Sequence, residues 1–486
     1  MNTCSTSLEK LKNLKEINKD PFSINSFDVD YDIKDIFEKF SDFKKEDLIE
    51  KNVLVKIAGR LMRIRNFGNL CFAVLRGFDL DIQIISIKDK DFNSLEIGDV
   101  IGVYGVVCKT DKGELSVKVI NFQLLSKCLK PIPDFHYGFN DVEERFRNRH
   151  LDFIVNIKNR NILINRAKIV WFIRNFLNQI GFTEMETPIL VSEASGAQAK
   201  PFITHHNKLS RDFNLRIATE IPLKTLLVGG FEKIYELGRI FRNEGIDARH
   251  NPEFTTIEIY ESYKNSDHMM KLTENLINSV KKTLFNDKEK LFFNGHYIEI
   301  KESFEKMTMI ESINKFSGVD FTNVVDFEEA KKLSIEHKVH LDGYQNSVGH
   351  IVTLFFEKFV EENLIQPTFI YEYPIETSPL AKTIKGKERF ADRFELFISG
   401  LEFANGYSEL NDSEEQRSRF ELQTKEKNLG NDEIAAFDNE FVEALEYGMP
   451  PAGGLGIGID RLVMLLNEVN NIREVIAFPQ MKKRTN

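Results

Sequence analysis

The sequence predicts an α+β, multidomain chain: a small N-terminal β-barrel, then a larger domain built on an antiparallel sheet. Three observations predict it. A length of 486 residues exceeds what one hydrophobic core usually serves. Short strand-like runs crowd residues 53–126, and longer helical and strand-like segments follow residue 160. Between them stands Lys130-Pro131-Ile132-Pro133, whose two prolines favour an extended connection. The expected division is residues 1–130, a linker over 131–160, and a second domain over 161–486.

Composition sets further bounds. The 42% apolar and 29% charged content is that of a soluble globular protein. No run of about 18 apolar residues occurs, so no membrane helix is expected. The start, MNTCSTSLEKLK, becomes charged before any apolar stretch develops, which argues against a secretory signal and for a cytoplasmic protein. Cys4, Cys71, Cys108 and Cys128 have neither metal-ligand nor disulfide spacing, so reduced thiols are expected. With 65 basic and 75 acidic residues the net charge is −10, which speaks against a surface that coats nucleic acid throughout and allows local basic patches.

Residues 8–19 put Leu8, Leu11, Leu14 and Ile17 near one helical face. Five strands follow, at Val53–Arg65, Leu70–Leu75, Leu80–Ile87, Val100–Cys108 and Leu115–Leu125, with turns at Asn66–Asn69 and Asp111-Lys112-Gly113. Strands of this number and length suggest a barrel of the OB type, whose open face commonly binds oligonucleotides. The first strand carries Lys56, Arg60, Arg63 and Arg65, and Phe72 and Gln83 come after it. Such a set suits a single-stranded loop, one base stacked on the ring and its edge read by hydrogen bonds. Spacing alone equally allows a solvated basic face with Phe72 in the core.

Past the linker, Ala167–Ile180 reads as a helix with Ile169, Val170, Ile173, Phe176, Leu177 and Ile180 on its buried side. Trp171, the single tryptophan, suits core or interface. Arg216-Ile217-Ala218-Thr219-Glu220 is expected to end a strand. Residues 267–370 read mainly as a helical insertion, for instance Met269–Phe285. Phe369–Pro374 resumes strand character, and Ser378–Lys387 reads as a mobile loop. Glu395, Glu402 and Glu409 are seven apart, which in a helix would make a solvated stripe. The Phe and Ile alternation and Gly400 instead suggest two antiparallel strands that bring the carboxylates into one pocket. Carboxylates inside a fold are costly unless they meet cations.

Three stretches carry the functional reading. Gly238–Tyr260 is a strand, a polar loop and a second strand, containing Phe241-Arg242-Asn243-Glu244-Gly245 and Arg249-His250-Asn251-Pro252-Glu253-Phe254. An arginine ending such a strand can grip a phosphate or carboxylate through two parallel hydrogen bonds. Gly448–Leu466 is a glycine-rich loop running into an apolar helix, with Arg461 in its first turn. Gly181–Pro188 is a helix end followed by a strand broken at proline. In that order they resemble the second, third and first signature motifs of class II aminoacyl-tRNA synthetases, the second in the version used by lysyl-tRNA synthetases. The segment over 53–126 is similar to the anticodon-binding domain of that family. The resemblance runs from about residue 50 to the end. One local departure is Thr219, Ile221 and Pro222, where the family usually has proline, leucine and tyrosine.

The resemblance implies an ATP-dependent lysine–tRNA ligase acting on L-lysine and tRNA(Lys), and a homodimer through the first-motif helix. Carried over, it implies that Arg242 holds the lysine carboxylate and α-phosphate with help from Asn405. Glu220 and the Gly196 backbone would take the α-ammonium, and Glu409 and Tyr260 the ε-ammonium. Glu395 and Glu402 would bind Mg²⁺. Phe254 and Arg461 would sandwich adenine, with Glu244, His250 and Asn251 completing the ATP site. Arg65, Phe72 and Gln83 would meet the anticodon. A carboxylate substrate needs no protein nucleophile, so catalysis would be positioning and charge stabilisation, consistent with the absence of any Ser-His-Asp or Cys-His arrangement. Related aspartate or asparagine enzymes need cationic groups where Glu409 and Tyr260 stand. A protein-modifying relative would lack the barrel, and a non-enzymatic sensor would have no use for Arg242, Glu395, Glu402 and Arg461 together.

Overall fold

Alternating inward hydrophobics between 54 and 126 close a barrel in the computed structural model, which describes residues 2–87, 91–133, 139–431, 434 and 437–484. The chain divides into two units, Met1–Asn161 and Ile162–Asn486. In the first, helices α1 (Asn2–Glu16), α2 (Ile33–Phe40) and α3 (Lys45–Lys51) precede strands β1 (Leu54–Phe67), β2 (Leu70–Arg76), β3 (Asp81–Ile87), β4 (Val100–Lys109) and β5 (Leu115–Ser126). The barrel order is β1-β2-β3-β5-β4, with β3 and β5 parallel.

A bulge decides which way the basic residues of β1 point. Val55, Ile57 and Leu61 are buried at odd positions, a register that would turn Arg63 and Arg65 inward. The pairing with β2 slips between Leu61 and Arg63, so Leu61 and Met62 are both buried and Arg65 lies opposite Phe72. The extra residue flips the strand's alternation and aims Arg63 and Arg65 at the outer face. Phe72 is on that face too, since Cys71, Ala73 and Leu75 fill the inside, and its ring meets Phe67 edge-on at 6.0 Å. Phe72 is therefore not a barrel-core residue.

The stretch expected as a linker holds two short helices, α4 (Val142–Arg147) and α5 (Arg149–Val155). Buried Asp152 accepts from Arg145, Asn156 and Asn159 and pairs with Arg149, a local reason for the chain to fold back. Residues 134–138 of that linker lie outside the described residues. Helix α6 (Ile157–Gln179) starts ten residues before the expected Ala167. Ile169, Ile173 and Leu177 are buried as expected, whereas Ile180 is exposed and Trp171 stands 66% exposed.

The second unit continues with β6 (Thr183–Glu184), β7 (Leu190–Val191), β8 (Ile203–His206), β9 (Arg211–Leu215), α7 (Glu220–Val228), β10 (Lys233–Phe241), β11 (Glu253–Ser262) and α8 (Ser266–Leu284). Residues 285–367 then hold β12 (Lys290–Phe293), β13 (His296–Glu299), β14 (Glu305–Thr308), α9 (Met309–Ser317), α10 (Phe327–Glu336) and α11 (Val348–Phe359), so the insertion read as mainly helical also carries short strands. Last come β15 (Thr368–Pro374), β16 (Thr383–Ile384), β17 (Lys387–Ile398), β18 (Leu401–Ser408), α12 (Ser413–Asn428), α13 (Asn439–Glu446), β19 (Ala452–Gly458) and α14 (Ile459–Leu466). The main sheet runs β14-β15-β17-β18-β19-β11-β10-β6, antiparallel except at its two ends, with β16 paired to β17.

Three local expectations are corrected. Glu220 opens α7 instead of ending a strand, because the strand stops at Leu215 and Pro222 is well tolerated in a first helical turn. The glycine-rich stretch before Arg461 is not a loop but strand β19, held between β11 and β18. The segment read as a mobile loop is tied down: the Lys382 N–H donates to Ser408, and Arg419 donates to the Ser378 and Ala381 carbonyls.

One face of the sheet packs Ile257, Ile259, Phe394, Leu396, Leu455 and Ile457 into a core shared with α6, α8 and α14. The alternate residues face the other way and line the site. Deleting Met62 should remove the bulge and leave Arg63 and Arg65 outward, because Arg63 then follows inward Leu61 directly in an unbroken ladder. The barrel should therefore still melt cooperatively, and Met62→Leu should cost less than about 1.5 kcal/mol. Circular dichroism melts of the two variants check this.

Candidate active site

Period-2 alternation builds the site on the face of the sheet opposite the core. From β11 come Phe254, Thr256, Glu258 and Tyr260, from β19 Gly454, Gly456 and Gly458, from β18 Asn405 and Tyr407, and from β17 Arg393 and Glu395. They surround a cavity of about 450 Å³, to which Gly196, Glu220, Arg242, Glu244, His250, Asn251, Glu402, Glu409 and Arg461 also contribute. Every residue the sequence placed in the lysine, ATP or metal set thus lines one cavity. Arg65, Phe72 and Gln83 lie elsewhere, on the outer face of the barrel, with Gln83 opposite Val74 and donating to Ser116 at 3.0 Å.

One end of the cavity is anionic. Lys224 Nζ, fully buried one turn after Glu220, donates to Glu220 Oε1 at 2.9 Å and to the Leu380 carbonyl at 3.2 Å. It also forms an ion pair with Glu409. The Tyr407 hydroxyl donates to the other Glu220 oxygen at 2.5 Å. A third carboxylate, Glu258, accepts from the Thr219 N–H at 3.0 Å and from the Tyr260 hydroxyl at 3.1 Å. Glu409 Oε1 is buried without a hydrogen-bond partner among the described residues. Burial pushes the Glu409 carboxyl up to about 8, Lys224 opposing and Glu220 adding. Burial raises Glu258 as well. Burial alone would lower the Lys224 ammonium, but Glu220 and Glu409 outweigh it and leave it raised.

The floor of this end is bare by necessity. A Cβ at Gly454 would stand 1.7 Å from Glu409 Oε1 and 2.7 Å from the Tyr260 ring, while one at Gly456 would meet nothing nearer than 3.7 Å. Gly196 adopts φ +88°, and a side chain there would press on Ala218 and Glu220.

The other end is cationic. Arg242 follows β10, its guanidinium 5.3 Å from the centre of the Phe254 ring. The loop after it closes through Arg242 N–H to the Pro252 carbonyl at 2.9 Å. Asp247 shapes that loop by accepting from the N–H groups of Arg249 and His250, and it pairs with His250 Nδ1 at 2.9 Å. Asn251 donates to the Glu253 carbonyl at 2.6 Å and leaves its buried Oδ1 without a partner among the described residues. Arg461, in the first turn of α14, donates to the Glu402 carbonyl and lies 3.9 Å from its carboxylate. Helix α14 is anchored to β11 by Asp460, which accepts from the Thr255 N–H at 2.7 Å.

Arg393, Glu258, Tyr407, Lys224 and Gly454 did not emerge from the sequence. Arg393 donates to Glu395 at 2.5 Å and to the Thr377 carbonyl at 2.7 Å. Burial pushes the Glu395 carboxyl up to about 7, Arg393 opposing and Glu402 adding. Glu258 and Tyr407 were findable from the strand period, two residues from Tyr260 and from Asn405.

Comparison with known proteins finds matches over both units. A family model described as tRNA synthetases class II (D, K and N) matches residues 141–482, and one described as OB-fold nucleic acid binding domain matches residues 55–125. The chain is 47% identical over 483 residues to the lysine–tRNA ligase of Bacillus subtilis, covering 98% of this chain and 96% of the relative. It is 47% identical over 481 residues to that of Lactococcus lactis subsp. lactis, with 98% and 97% covered.

Gly454→Ala should destabilise the protein by about 1–3 kcal/mol, the usual cost of overpacking, whereas Gly456→Ala should be tolerated. Denaturant titration of both separates a required gap from a generic preference for glycine. With the whole sheet, the cavity and the barrel in place, the chain belongs to the class II tRNA synthetases, among the lysine–tRNA ligases.

Proposed function

We propose that this protein joins L-lysine to tRNA(Lys) in two steps. The lysine carboxylate attacks the α-phosphorus of ATP, and the bond to the β-phosphate oxygen breaks, giving lysyl-adenylate and pyrophosphate. A ribose hydroxyl at the 3′ end of tRNA then attacks the acyl carbon, and AMP leaves. The attacking carboxylate is already ionised, so positioning and charge stabilisation supply the rate. Arg242, with Asn405, holds the lysine carboxylate against the α-phosphate and meets the charge that develops there. Phe254 and Arg461 take the adenine, and Glu244, His250 and Asn251 the rest of the nucleotide. Glu220 and the Gly196 backbone take the α-ammonium, Glu409 and Tyr260 the ε-ammonium.

The observation that carries this reading is one cavity with an anionic end at Glu220, Glu258 and Glu409 and an arginine end at Arg242 and Arg461. A lysine lying along it meets opposite charge at both ends. The residues also fit Mg²⁺: Glu395 and Glu402 offer the hard carboxylate oxygens this ion takes. Bound there, it would neutralise phosphate charge. The outward cluster of Arg65, Phe72 and Gln83 supports a barrel that reads the anticodon. Exposed Trp171, Ile180, Ile189, Leu190 and Ile203 support a face covered by a second copy in a homodimer. A cytoplasmic setting suits the reduced cysteines.

ATP–pyrophosphate exchange with each of the twenty amino acids tests the reading directly. Lysine alone should support it, and stimulation by aspartate or asparagine instead would overturn it. Arg242→Ala should fold and lose about 100-fold or more in exchange, since such charge stabilisation is worth on the order of 3 kcal/mol. Phe72→Ala should raise the KM for tRNA roughly 5- to 150-fold, the equivalent of one stacked base, and leave exchange unchanged. The pH dependence follows from Glu409. Burial raises its carboxyl to about 8 even beside Lys224, so it takes up a proton more readily than a free carboxylate, and its ionised form is the one that pairs with an ammonium. Lysine affinity should therefore rise with pH through about 8, and binding at pH 7 should release protons, measurable by calorimetry in buffers of different ionisation enthalpy.

A further inference from the structure

We infer that Lys224 is a positioning residue for lysine selection: its buried ammonium fixes Glu220 and Glu409 and sets the charge of the site to accept two ammonium groups. The inference rests on the lysine reading above and adds a residue to it. Lys224 is fully buried and does not line the cavity, whereas the two carboxylates it touches do. It therefore acts through them and not on the substrate.

The geometry uses the whole cation. An ammonium has three N–H donors, and Lys224 directs its own at Glu220, at Glu409 and at the Leu380 carbonyl. The rings of Tyr407 and Phe441 lie 5.5 Å and 5.8 Å away, which closes its surroundings to water. One fixed point thus spaces two carboxylates carried by different elements, Glu220 on α7 and Glu409 after β18.

Charge counting gives the functional consequence. The groups facing this end are Glu220 and Lys224 from α7, Glu258 and Tyr260 from β11, Tyr407 and Glu409 at the end of β18, and Arg393 from β17, which is paired with Glu395. With Glu220, Glu258 and Glu409 all ionised, as they are once a ligand has drawn off any proton, only Lys224 stands against them, and the pocket carries a net deficit of two positive charges. Lysine brings two, while its carboxylate goes to Arg242. An uncharged residue at 224 would leave three charges to be met by two ammonium groups, and a carboxylate would keep its proton. A substrate with one ammonium would leave the native pocket one short. Lys224 therefore tunes the site to a diamine.

The test is Lys224→Met, similar in length and neutral, in ATP–pyrophosphate exchange with the full-length enzyme. The KM for lysine at pH 7 should rise about 100-fold or more, as expected for removing one member of a buried ionic set. The KM for ATP and kcat should change by less than about threefold, the pattern of lost ground-state binding. The rise in lysine affinity with pH should become steeper than in the parent. Lys224→Gln, which keeps donors without charge, should behave in the same way. An unchanged lysine KM in a folded variant would overturn the inference, as would equal losses for lysine and ATP. Failure of both variants to fold would also overturn it, by making Lys224 a folding residue. If the parent enzyme shows no lysine-dependent exchange, the function proposed above fails first, which separates the two.

Discussion

The site depends on one buried interaction, the ammonium of Lys224 held between Glu220 and Glu409. Carboxylates this deep would normally be expelled or protonated. A single cation keeps two of them in place, and burial still leaves Glu409 with a raised pKa. The pocket is therefore electrostatically incomplete on its own. That incompleteness is what a doubly ammonium-bearing ligand can relieve, and a ligand without the second charge cannot.

The rest of the catalytic unit serves that arrangement. A sheet with a dry face against α8 and α14 leaves its other face free for polar residues at every second position. Glycines at alternate positions of β19 keep the floor clear where Glu409 and Tyr260 converge. Rigid strands, not loops, carry Glu258, Tyr260, Asn405 and Glu395, so the charges meet a ligand with little rearrangement. Asp460 ties the helix bearing Arg461 to the strand bearing Phe254, which fixes the two sides of the arginine end together.

Much of this was legible in the sequence, for physical reasons that differ by element. The barrel strands were found to within a few residues because Val55, Ile57, Cys71, Ala73 and Ile84 alternate strictly. The order of the three motifs marked out the residues of the cavity. The bulge at Leu61 was hidden because a slip of register leaves composition unchanged. Strand β19 was hidden because glycine disfavours strands in general, and only its neighbours show why bare backbone is needed there. Glu220 was misplaced because Leu215-Arg216-Ile217 looks like a strand, although Thr219 and Pro222 are helix-start residues. Lys224 escaped because a lysine in a helix is nearly always solvated, and its burial depends on contacts with residues more than 150 positions away.

The central claim is that the side-chain end of the cavity selects by charge and not by shape. Equilibrium binding of lysine and of norleucine, which has the same carbon chain without the ε-ammonium, measures this most directly. The account predicts that lysine binds at least about 1,000-fold more tightly, because norleucine would leave Glu409 buried without its counter-charge. Norleucine binding within about tenfold of lysine would contradict it, since that small a gap is what apolar contact alone supplies.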